Sequence, residues 1–256
     1  MSESERAVGT AGIVVIGDEI LSGKVKDENA HFLIAELREL GVALRAVSVI
    51  PDVLDEIAET VRTFSRRYQH VFTSGGVGPT HDDLTMEGVA RAFGTRVIRH
   101  PHLEQLLRGF YGDRLEERNL RMAEVPEGAT LVDSDQLHWP VPCFDNVYIL
   151  PGVPEIFRRK FRGIRERFRA LPFHLTSVFV RDEEGTIARH LDAVASGHPT
   201  VAVGSYPRMV DAAAIAAGAW RVKVTLESKD GPAVERATAD LAERLGAGSV
   251  TGIERK

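Results

Sequence analysis

The run Thr73-Ser74-Gly75-Gly76-Val77-Gly78-Pro79-Thr80-His81-Asp82-Asp83-Leu84-Thr85 places a glycine-rich turn directly before two adjacent carboxylates. Glycine accepts positive φ and lets a ligand approach the main chain, and unpaired amides at a helix N-terminus donate to anions. Asp82 and Asp83 would repel a phosphate there unless a divalent cation lay between them, and hard cations bind pyrophosphates through one or two carboxylates. The chemistry is therefore that of a nucleotide with a metal such as Mg²⁺, Mn²⁺ or Co²⁺. Gly75, Gly76 and Gly78 would sit on phosphate, with Asp82 and Asp83 as metal ligands and catalytic groups. A plainer reading stays open, in which Thr80 and Asp83 form a capping box and the glycines only turn the chain. His81 could act as an acid or base, but it is read as a spectator.

A second glycine loop with acids, Gly17-Asp18-Glu19-Ile20-Leu21-Ser22-Gly23, follows the apolar, β-branched run 11–16. Such a run fits a strand buried on both faces of a parallel sheet. Ligands of open α/β sheets bind outside the carboxyl ends of the strands, so the two loops can converge on one pocket. Asp18 and Glu19 would then complete the site, Glu19 among the catalytic groups; otherwise they are solvated loop charges.

The elements that must position these loops alternate. Ala30, Leu33, Ile34, Leu37 and Leu40 share a helical face, residues 43–50 read as a strand, and Leu54, Ile57, Ala58, Val61 and Phe64 mark a second helix. Residues 70–73 form the strand before the glycine loop, and a helix is predicted from Asp83 to Phe93. Strand is expected at 97–99, helix over most of 101–122, and a last strand of the domain at 146–150. This rhythm predicts a mostly parallel sheet with helices on both sides. In the helix that follows, Arg158, Arg162, Arg165 and Arg169 line one stripe, read as a solvated outer face; one arginine near its start is the alternative phosphate contact. Beyond Leu171-Pro172, strands at 175–180, 200–205, 220–226 and 249–251 with helices at 186–195 and 232–245 give a βαββαβ order, a small α+β domain. Residues 212–219 read as a flexible hairpin loop.

Gly17-Asp18-Glu19-Ile20-Leu21-Ser22-Gly23, Asp27-Glu28-Asn29, Gly75-Gly76-Val77-Gly78-Pro79-Thr80-His81-Asp82-Asp83-Leu84-Thr85 and Leu150-Pro151-Gly152-Val153-Pro154-Glu155 together resemble the N-terminal domain of CinA proteins, competence/damage-inducible protein A. That domain belongs to the wider molybdopterin-binding, MoaB/Mog-like superfamily, and a similar domain precedes the synthase part of some eukaryotic FAD synthases. The resemblance implies a three-layer α/β/α fold and a metal-dependent pyrophosphatase acting on a dinucleotide such as ADP-ribose or FAD. It implies that Asp83 is the catalytic or metal-linked aspartate and Asp82 an extra acid. By the same resemblance Gly17, Asp18, Ser22, Asn29, Gly75, Gly76, Gly78, Thr80, Thr85 and Gly152 are expected to line the substrate. Where the CinA pattern usually carries Gly-Thr-Ala-Pro-Gly, this chain reads Leu137-His138-Trp139-Pro140-Val141. Trp139 could stack on an adenine or flavin ring, or pack in the core. The sequence ends where full-length CinA proteins continue into an amidohydrolase domain, so deamidation of nicotinamide nucleotide is not expected. A molybdopterin adenylyltransferase and a non-catalytic nucleotide- or pterin-binding module are the alternatives.

Composition bounds rather than selects these readings. The 256 residues are 43% hydrophobic and support a large domain, 11–170, and a small one, 171–256, after a disordered N-terminus at 1–10. With a single cysteine, Cys143, no intrachain disulfide can form, and the nine scattered histidines make no zinc-site or metalloprotease spacing. A formal charge of -5 argues against general nucleic-acid binding. No segment reads as a signal peptide or membrane span, so a cytoplasmic protein is expected. A small-molecule dinucleotide or pterin is the expected partner, in a homo-oligomer.

Overall fold

The computed structural model describes residues 9–133, 138–211, 213–214 and 217–255. The chain divides into two compact units between Leu171 and Pro172.

In the first unit, β1 (Thr10–Ile16) explains the architecture. Its side chains alternate between faces. Ala11, Ile13 and Val15 enter one core with Leu33 and Leu37 of α1 (Asn29–Glu39) and Phe157 and Phe161 of α5 (Pro154–Ile164). Val14 and Ile16 enter the other with Ile57 and Val61 of α2 (Leu54–Arg67) and Val89 of α3 (Thr85–Phe93). A continuous apolar strand thus fills two layers at once, giving the three-layer α/β/α arrangement. The sheet also contains β2 (Ala43–Ile50), β3 (His70–Ser74), β6 (Thr130–Val132), β7 (Val141–Phe144) and β8 (Val147–Leu150), in the order β2-β1-β3-β8-β7-β6. The first four in that order are mutually parallel, and β7 runs antiparallel to its neighbours β8 and β6. Phe72 meets Phe161 and Phe168 nearly edge-on at 5.6 and 5.0 Å, and each fully buried ring of this kind contributes roughly 1.5–3 kcal/mol of transfer free energy.

Several sequence expectations shift. β1 begins at Thr10, after a buried Gly9, so those residues are ordered; 1–8 lie outside the described residues. α3 begins at Thr85, not at Asp83. The expected helix over 101–122 breaks at Gly112, whose φ is 53°. It gives α4 (Pro101–Tyr111), short helical turns, and β5 (Glu124–Pro126), which pairs with β4 (Val97–Arg99). The arginine stripe of α5 and the turn after it is a solvated face only in part: Arg162 and Arg169 are more than half exposed, whereas Arg158 and Arg165 are not. Arg165 sits 2.7 Å from Glu36 and 3.1 Å from Glu39 of α1, and Arg158 pairs with Glu28. Arg158 and Arg162 also lie over the Phe32 ring. Glu28 just before α1, with Phe32, Glu36 and Glu39 in it, each about one turn apart, turn Arg158, Arg162 and Arg165 into an interhelical seam.

The second unit is β9 (His174–Val180), α6 (Glu184–Gly197), β10 (Ala202–Pro207), β11 (Val222–Ser228), α7 (Gly231–Leu245) and β12 (Val250–Arg255). Its antiparallel sheet has the order β10-β11-β9-β12, the split βαβ arrangement. Val178, Val180, Val222, Val224 and Leu226 pack under Ile187 and Val194 of α6 and Ala237 and Leu241 of α7. Residues 212, 215 and 216 of the expected hairpin loop lie outside the described residues.

Candidate functional site

The loops after β1, β3 and β8 all leave the carboxyl ends of neighbouring parallel strands, so the topology brings the sequence-predicted motifs to one edge of the sheet. Asn29, at the start of α1 and only 4% exposed, ties them together. Its Nδ2 donates to Ser74 Oγ at 2.9 Å and to the Gly152 carbonyl at 2.7 Å. Asp27 holds this helix end in place, its carboxylate accepting from the amides of Asn29 and Ala30.

The glycine loop is built by close approaches that a side chain would block. Gly75 has φ 105°, and a Cβ there would fall 2.1 Å from the Ile16 carbonyl oxygen. At Gly78 a Cβ would fall 2.7 Å from Asp83 Oδ2. The Gly75 amide donates to Leu150 O, and the buried Thr85 hydroxyl donates to Gly75 O at 2.8 Å, so Thr85 shapes the loop from within. Among the described residues, the amides of Gly76, Val77 and Gly78 make no hydrogen bond within the protein.

Asp83 accepts from the Thr80 amide at 2.7 Å and from the Thr80 hydroxyl. The side-chain-to-amide half of the expected capping box therefore exists, but in a turn that precedes the helix. Asp82 is exposed; the Thr80 hydroxyl, within reach of both carboxylates though donating to Asp83, and Asp82's own amide hold the Asp82 carboxyl below the usual range. His81 stands in solvent, 3.8 Å from Asp82.

Two clefts border the glycine loop. Gly76, Gly78 and Asp83 line one, with Glu87, Arg121 and Glu124. Glu19, Asn29, Ser74 and Gly152 line the other, with Asp27 and Lys26. Gly17 is extended and donates to Ile50 O, and its missing side chain leaves room for the Glu19 carboxylate. The Asp18 amide donates to Asp52 at 2.9 Å. The exposed Ser22 hydroxyl donates to Glu19 O and borders neither cleft. Trp139 is half-buried, packed against the cluster of Leu103, Leu107, Leu120 and Val125, and lines neither of these clefts; Leu137 lies outside the described residues. Lys160 of α5, 8% exposed, donates to the carbonyls of Trp139 and Pro140 at 2.9 and 3.0 Å and so fixes that segment from below.

Sequence reasoning missed Asp52, Ser74 and Arg121 as site residues. Asp52 follows β2, and burial first, then the charges of Glu19, Asp18 and Asp82, push its carboxyl up. The same rule that located the glycine loops, carboxyl ends of parallel strands, would have found it. Arg121 stands in a segment read as plain helix and carries no local signal. Among the described residues no three His, Cys, Asp or Glu side chains converge as a cation cage. A hard cation that keeps water and takes phosphate oxygens needs only one or two carboxylates, and Asp18, Glu19 and Asp82 offer that donor type, each within electrostatic range of Asp52.

Residues 12–170 match a family model described as a probable molybdopterin binding domain, and residues 172–254 match the middle domain of FAD synthase. A protein of Archaeoglobus fulgidus is 35% identical over 196 residues, which is 77% of this chain and 85% of the relative. A probable FAD synthase of Caenorhabditis briggsae is 31% identical over 264 residues, 92% of this chain but 49% of the relative, so the chain spans about half of that protein's length. The crystal structure of the protein CinA, of unknown function, from Thermoplasma acidophilum shares 29% identity at a TM-score of 0.57, covering 62% of this chain and 98% of that one. No helix among the described residues is long and apolar enough to cross a membrane.

Proposed function

Because the chain belongs to the molybdopterin-binding domain family, with CinA-like and FAD-synthase-like relatives, we propose that it is an enzyme hydrolysing the pyrophosphate of a dinucleotide such as ADP-ribose or FAD with the help of a divalent cation. The observation that carries this reading is the glycine loop, whose unengaged amides at residues 76–78 line one cleft with Asp83 while Ser74, just before the loop, lines another with Glu19. Amides without an internal partner donate to phosphate oxygens, and the nearby carboxylates favour a metal-bound polyphosphate over a bare anion. Asp82 would hold the cation, with Asp83 fixing the turn that carries Asp82 and Asp52 close enough to add negative charge without being a ligand. When bound, the cation supplies charge neutralisation on the pyrophosphate. Glu19 orients water toward phosphorus, and Asp52, whose raised carboxyl is the better base, takes up a proton. A water oxygen forms one P–O bond, the bridging P–O bond breaks, and two monophosphates leave.

Incubating the full chain with a dinucleotide panel and Mg²⁺, Mn²⁺ or Co²⁺ and reading products by mass spectrometry tests the reading. AMP release that depends on metal supports it. Adenylylation of a pterin by ATP, or saturable binding with no product, overturns it in favour of a transferase or a binding module.

A further inference from the structure

The cleft beside residues 76–78 contains a cation that no motif marks. Asp83, Glu87 and Glu124 line it, and Arg121 is the one basic residue lining it. Among the described residues Arg121 makes no ion pair with any of those acids. Its Nη1 instead donates to the Thr80 carbonyl at 2.6 Å. That bond anchors the guanidinium and leaves its Nε–Nη2 edge without an acceptor among the described residues, the planar pair of donors that matches two oxygens of one phosphate.

We propose that Arg121 is a further substrate-binding residue, gripping a phosphate whose other oxygens rest on the amides of Gly76, Val77 and Gly78. The inference rests on the dinucleotide reading and adds the residue that selects for the phosphate group. Three acids in one cleft disfavour an anion, and Arg121 offsets part of that charge in place, next to where the phosphate would sit. The Thr80 carbonyl also ties the guanidinium to the turn that carries Asp82 and Asp83, so the phosphate contact and the acids are set by one piece of backbone. Arg121→Lys retains charge but loses the paired donors, and Arg121→Gln loses the charge.

Calorimetric titration of the full chain with AMP and with adenosine, in Mg²⁺, separates the phosphate from the base without requiring turnover. Loss of one charged hydrogen-bonding pair predicts AMP affinity lower by about tenfold or more in Arg121→Gln, with adenosine unchanged and Arg121→Lys intermediate. Thermal unfolding identifies a misfolded Gln variant, in which case Arg121→Lys decides by the same comparison. Parent-like AMP affinity in Arg121→Gln, an equal loss of AMP and adenosine, or a parent that binds no AMP overturns the inference. Arg121-dependent AMP binding without dinucleotide turnover removes the hydrolase reading and leaves the inference standing; metal-dependent hydrolysis with an unaltered KM in Arg121→Gln does the reverse.

Discussion

Asp83 and Asp82 stand next to each other in sequence and have different surroundings. Asp83 is spent on Thr80, whereas Asp82 points to solvent. Asp82→Asn removes a ligand charge at an exposed position, so turnover at subsaturating metal should fall by at least about tenfold, the effect of losing roughly 1.4 kcal/mol of transition-state stabilisation, while the melting temperature changes little. Equal turnover in the variant across a metal titration would take Asp82 out of the site. The glycine-acid motif was legible because only glycine meets the close approaches at Gly75 and Gly78 and only carboxylates give that chemistry. Trp139 was ambiguous because nothing local distinguishes a ring that packs from one that stacks, and its packing partners come from α4 and the segment after it. A second residue-scale expectation concerns Lys160, whose ammonium burial pushes down to about 8. In the unfolded chain a lysine holds its proton to about pH 10.4. Between these values the unfolded state binds more protons, so this group's contribution to stability rises with pH from about 8 to about 10 and is flat below. Urea titrations of parent and Lys160→Met should show the parent gaining on the order of 2–3 kcal/mol relative to the variant across that interval. A pH-independent difference would mean that Lys160 titrates normally.

Asn29 works at the scale of elements, joining the start of α1 to the ends of β3 and β8. Asn29→Ala removes both bonds and leaves the Gly152 carbonyl without that partner, at about 1–3 kcal/mol for a buried unsatisfied group. Chemical denaturation should show that loss, and amide exchange should speed up in residues 74–78 and 150–152 before it does in β1. Uniform acceleration across the sheet would instead make Asn29 an ordinary core residue. The paired helices and fully buried strands of the first unit were legible from apolar periodicity, since β1 and β3 must satisfy two cores. β7 was not. Pro142 speaks against a strand, yet β7 pairs with β8 only through Cys143 and Phe144, so the missing amide is not needed in that ladder. The arginine stripe was misread at Arg165 for a related reason: its spacing gives a face, but only α1, with Glu36 and Glu39, determines which part of it is covered.

At the scale of the molecule, the two units have separate cores, and both glycine loops lie in the first. A fragment ending at Leu171 should therefore unfold cooperatively with a parent-like circular-dichroism spectrum for its α/β content and keep AMP binding. A non-cooperative fragment would show that the first core depends on residues 172–256. The fold class of both units was legible, because strand-helix alternation in one and βαββαβ in the other leave few topologies. The reaction was less so, because a glycine loop and acids suit transfer and hydrolysis alike. Hydrolysis in H₂¹⁸O separates them most directly. With FAD and Mg²⁺, the full chain is expected to release AMP and FMN with one ¹⁸O between the two products, and an Asp82→Asn, Asp83→Asn double variant is expected to release neither. Intact, unlabelled FAD after prolonged incubation with the folded parent, across the Mg²⁺, Mn²⁺ and Co²⁺ series and with ADP-ribose equally untouched, would contradict a pyrophosphatase.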